Sequence, residues 1–138
     1  MINGNSPIRP AWLRVFAFLL AAVILVWLTI EENGEFGVLL ISGLICTWGA
    51  VYFLNKINPG RKQFVLWYIA AGGAAGLLLA PLAILLMALK SGIHGHGTPD
   101  FAIGQVQAIL SRVPIYIAAG VLTGAGSGLL RGNLSQGD

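Results

Sequence analysis

An all-α integral membrane protein with four transmembrane helices is the fold class the sequence predicts, and three observations carry it. Hydrophobic residues make up 57% of the 138-residue chain and charged residues only 9%, against roughly 25% charged in a soluble domain. The eight basic and five acidic residues gather at the ends of uncharged runs and between them, too few to coat a water-soluble globule. Four runs approach or exceed about 20 residues, the length a helix needs to cross about 30 Å of hydrocarbon. This composition excludes a soluble enzyme, a nucleic-acid module and a disordered tail. A single four-helix domain over 1–138 is expected.

The first span is predicted at about 11–30. Arg14 lies near its start, where a long side chain can snorkel, and the acidic cluster Glu31, Glu32 and Glu35 follows it. Basic residues before an apolar run also suit a secretory signal, but Thr29-Ile30-Glu31-Glu32 offers no small-x-small cleavage site, so the segment is read as a retained span. The second span is predicted at about 36–54. Asn58-Pro59-Gly60 then makes a turn beside Lys56, Arg61 and Lys62, in which proline presets one dihedral and glycine supplies positive φ. These three cations read as a topogenic cytoplasmic hairpin, with contact to anionic lipid as the alternative. The third span, about 64–89, lies in an uncharged stretch long enough to require tilting or bending. Pro81 removes the helical donor for the Leu77 carbonyl and predicts a kink.

Ser91 to Pro99 reads as a glycine-rich loop, with Asp100 as N-cap of an amphipathic helix at about 101–112. On a helical wheel Ala102, Ile103, Val106, Ile109, Leu110 and Val113 share one arc, Phe101 falls off it, and an interfacial helix bending into the fourth span follows. One unbroken, kinked helix is the alternative. The fourth span is predicted at about 113–130, between Arg112 and Arg131. Lysine and arginine favour the side holding the N-terminus, the second loop and the tail over the side holding Lys90 and Arg112. An antiparallel bundle with both termini inside is therefore expected, in a bacterial cytoplasmic membrane or its organellar equivalent.

Nineteen glycines are about twice the ordinary share of ~7%, and they have a pattern. Gly120, Gly124, Gly128 and Gly132 recur every four residues, as do Gly72, Gly76 and Ala80. Lipid tails are as apolar as leucine, so membrane helices gain association from close backbone approach, which such spacing permits. The two stripes are expected to pack on each other, or the fourth-span stripe on its copy in another subunit. Weaker small-residue seams are Ala17 with Ala21 and Gly43 with Thr47.

Chemistry-bearing patterns are sparse. Cys46 is the single cysteine, so no intrachain disulfide can form. His94 and His96 are weak metal-ligand candidates, because the intervening glycine fixes no geometry. Gly124-Ala125-Gly126-Ser127-Gly128 follows no strand and lies in an apolar span, so it matches neither a phosphate loop nor a nucleophile elbow. No cofactor, no catalytic residue and no nucleic-acid partner is expected. The expected role is a small non-catalytic membrane protein, an accessory, structural or assembly subunit packing in the bilayer through glycine-rich faces against other subunits or its own copies. The alternative is a small homo-oligomeric channel or facilitator lined by glycine backbone, Thr123 and Ser127.

Overall fold

The computed structural model describes residues 11–29, 34–57, 63–94 and 101–134. The chain is all-helical: α1 Ala11–Thr29, α2 Glu35–Ile57, α3 Phe64–His94, α4 Ile103–Ser111 and α5 Val113–Leu134. Four helices, all but α4, are long and apolar enough to cross a membrane. Their outward faces carry large apolar side chains such as Phe18, Leu66, Leu122 and Leu130, a surface that water would not tolerate over so wide an area.

Each α1 contact residue follows a 3.5-residue period. Leu13, Leu20 and Trp27 are buried, with Ala17 and Ile24 half-buried between them, the alternating four-and-three spacing of a coiled-coil seam. Ala21 is exposed, so large side chains rather than the Ala17/Ala21 pair make this contact. Trp48 of α2 reaches across and donates from Nε1 to the Leu13 carbonyl at 3.4 Å. Within α2, Val38, Ile41 and Ser42 are buried, and the Ser42 hydroxyl donates to the Val38 carbonyl at 2.8 Å.

Helix α3 is the centre, packing on both α2 and α5, while α1 packs on α2. Its 31 residues span about 46 Å at 1.5 Å per residue, and Pro81 lies within it without interrupting it. The helix also takes in Lys90 to His94, which the sequence placed in a loop. Its buried positions Gly76, Ala80, Ala83, Met87 and Lys90 repeat the four-and-three spacing, and that period carries the helix beyond the last uncharged residue.

Close approach of α3 and α5 depends on missing side chains. A Cβ placed on Gly72 would meet the carbonyl of Gly120, one on Gly76 that of Tyr116, and one on Gly124 that of Tyr68. A Cβ on Gly128 would come within 2.9 Å of the Val65 Cα. Each partner number falls by about four as the other rises by four, so a continuous stripe is consumed by the chain itself rather than offered to another copy. Gly126 has nothing within 4 Å and faces away.

The core collects at one end: Trp27 from α1, Val38 and Ile41 from α2, Ala80, Ala83, Leu86 and Met87 from α3, and Phe101 and Ile109. Helix α4 starts two residues later than the sequence suggests. Its N-cap is Ala102 rather than Asp100, because Gln105 serves both sides of the cap: its Oε1 accepts from the Ala102 amide at 2.8 Å, and its amide donates to the Ala102 carbonyl at 2.9 Å. Phe101 precedes the helix and is buried, which removes its conflict with the wheel. The arc itself divides, since Ile109 is buried while Ile103 and Leu110 are exposed. Arg112, at φ −90° and ψ 0°, separates α4 from α5, so the single kinked helix is not adopted. Asp100, His96, Arg61 and Lys62 lie outside the described residues.

The α3–α5 contact yields a contrast. Gly120→Val should cost about 3 kcal/mol or more by overpacking backbone, whereas Gly126→Val should stay within about 0.5 kcal/mol. Reversible unfolding in mixed detergent measures both.

Candidate functional site

Three local arrangements can carry function. The first is charged. Lys90 is fully buried, and its Nζ lies 4.4 Å from the centre of the Trp27 ring. The quadrupole of the indole face offsets part of the cost of withdrawing the ammonium from water. Lys90 therefore lies in the helix core of α3 and not in a loop. Nearby, at the elbow between α4 and α5, Arg112 Nη1 pairs with Glu35 Oε2 at 3.3 Å. That pair is half open to solvent on the arginine side and weak for that reason. Trp27 Nε1 and Tyr116 Oη are buried without a hydrogen-bond partner among the described residues.

The second is a cavity of about 270 Å³ between α2, α3 and α5. Gly72, Ala75 and Gly76 supply one side, Thr47 and Val51 of α2 another, and Ala119, Thr123 and Ser127 of α5 the third. The Thr123 hydroxyl donates to its own helix, at the Ala119 carbonyl, at 2.8 Å. Tyr68 also lines the cavity and accepts a hydrogen bond from Arg131 Nη1 at 2.6 Å.

The third is a wider groove of about 780 Å³ on α2 and α3, lined by Cys46, Gly49, Ala50, Phe53, Trp67, Ala70, Ala74, Leu78, Pro81 and Leu85 among others. A Cβ on Gly49 would meet nothing within 4 Å. Cys46, Ala50, Ala71 and Ala75 line both spaces, so only small side chains divide them.

Of the residues singled out from sequence, Gly72, Gly76, Gly120, Gly124 and Gly128 come together at the α3–α5 contact, and Ala80 lies beside it in the core. Pro81 borders the wide groove. Lys56 is exposed in the last turn of α2. His94 ends α3, and no group of three His, Cys, Asp or Glu side chains converges among the described residues. Sequence reasoning missed the Lys90–Trp27 and Arg131–Tyr68 contacts. Lys90 was legible as the next step of the period Gly76, Ala80, Ala83, Met87, had charge not been used to end the span. No protein-family model matches the chain, and comparison with curated proteins and with solved structures gives no match. Four apolar helices mark a multi-pass membrane protein.

Double-mutant cycles should rank the two charged contacts. The Trp27→Leu/Lys90→Met pair should couple by about 2 kcal/mol, as a desolvated cation–π contact. Glu35→Gln/Arg112→Gln should couple by about 1 kcal/mol or less and lose that in high salt. The reverse order would contradict the burial argument.

Proposed function

We propose that this protein is a non-catalytic accessory or assembly subunit of a membrane complex, and that the groove on α2 and α3 receives a transmembrane helix of its partner. The open groove carries the reading. Gly49, Ala50, Ala70 and Ala74 are small residues lining this groove, and small residues let a second backbone approach in lipid. Phe53 and Trp67, with ring centres 6.3 Å apart, border the groove as aromatic anchors.

In this reading the four spans form an antiparallel bundle with both termini cytoplasmic. Arg14, Lys56 and Arg131 at one end against Lys90 and Arg112 at the other, among the described residues, support it. Helix α4 lies at the outer interface, with Ile103 and Leu110 reaching into the acyl boundary. Gly49→Leu should lower recovery of the native companion about tenfold, a loss of ~1.4 kcal/mol, and a photoreactive residue at Ala74 should crosslink to that companion while one at Leu122 should not. Purification from native membrane without a stoichiometric companion would contradict the proposal.

A homo-oligomeric channel is the second reading, supported by the cavity that brings Thr123, Ser127, Gly120 and Gly124 together. It requires solute flux into liposomes above that of empty vesicles, abolished by Ser127→Leu. Absence of flux across a broad solute panel would eliminate it.

A further inference from the structure

The cavity between α2, α3 and α5, of about 270 Å³, is smaller than the groove of about 780 Å³ proposed for a partner helix. Its walls are mostly glycine, alanine and aliphatic carbon, and Thr123 turns its hydroxyl back to Ala119, which leaves its methyl as the exposed surface. The space is open on one side rather than sealed. Within a bilayer it fills with what surrounds it, and a single alkyl chain has the cross-section to enter.

A charged residue lies one helical turn beyond the cavity lining. Ser127 lines the cavity, and Arg131 stands one helical turn further along α5 at the end of its membrane span. The guanidinium gives one N–H to the Tyr68 hydroxyl at 2.6 Å, and its Cζ lies 5.7 Å from the Phe64 ring centre and 6.0 Å from that of Tyr68. It is thus oriented by a residue that itself lines the cavity, while remaining exposed. A guanidinium has five donors in a planar fork suited to phosphate.

We propose that this cavity and Arg131 form a binding site for an anionic phospholipid, with one acyl chain lying between α2, α3 and α5 and the phosphate meeting the Arg131 guanidinium. The site rests on the helices spanning a bilayer and not on the proposed partner, although it shares Cys46, Ala50, Ala71 and Ala75 with the groove on α2 and α3. The chain supplies shape matching, which any phospholipid satisfies, and Arg131 supplies the discrimination by charge.

Native mass spectrometry of the full-length protein, released from mild detergent after exposure to equal phosphatidylglycerol and phosphatidylcholine of one chain length, tests it. The wild type should retain phosphatidylglycerol about fivefold better, the preference one interfacial cation confers. Arg131→Gln should abolish the preference and lower retention of both lipids, whose phosphates meet the same guanidinium, with phosphatidylglycerol losing the more. Ala119→Leu should reduce retention of both lipids by filling the cavity, and Thr47→Leu should do the same from the opposite wall, so that misfolding of either variant, detected by gel filtration, leaves the other as the test. Equal retention of both lipids by the wild type, or an unaltered preference in Arg131→Gln, would overturn the proposal. Full retention by the cavity-filling variant, together with displacement of the lipid by glycerol phosphate, would show a headgroup site alone and overturn it as well.

Discussion

Backbone contact between Gly72 and Gly120 is the constraint on which the rest of the structure depends. In water two helices are pressed together by exclusion of apolar surface, but lipid gives no such drive, and packing must supply the attraction. Here the carbonyl of each glycine occupies the space a Cβ on the other would need. The contact repeats along the helices at Gly76, Gly124 and Gly128, so α3 and α5 meet along a line rather than at a point. Between this pair and α2 lies the cavity of about 270 Å³.

The opposite character holds elsewhere. Helix α1 meets α2 through Leu13, Leu20 and Trp27, bulky residues that hold the backbones apart, and its other faces are apolar and exposed. The core at the α4 end pins one end of the structure, with Lys90 sealed beneath Trp27 and Glu35 tied to Arg112. At the other end the Arg131–Tyr68 hydrogen bond joins α5 to α3. A rigid helix pair is thus flanked by two open apolar spaces, a form suited to holding lipid or another helix.

Much of this was legible in the sequence, for definite reasons. Span positions follow from hydropathy because bilayer thickness sets helix length. The four-residue spacing of glycines is visible because i and i+4 share a helix face. Which surface they meet is a tertiary fact, and only the structure brings Gly72 to Gly120. Lys90 was hidden by treating charge as a boundary, although its position continues the buried period of α3. The α4 cap was misplaced because Asp100 is the better intrinsic N-cap, whereas the reciprocal bonds of Gln105 with Ala102 fix the start. The seam of α1 was sought among small residues, a rule suited to tight contacts, where this contact is built from large ones.

Spin-label distance measurement between α3 and α5 in lipid bilayers tests the central claim most directly. With Cys46→Ser removing the native thiol, labels at Leu77→Cys and Ile115→Cys occupy exposed positions on the two helices. A single narrow distance distribution is predicted, lengthening and broadening when Gly120→Val is added and unchanged when Gly126→Val is added. An unaltered distribution with Gly120→Val would contradict the account.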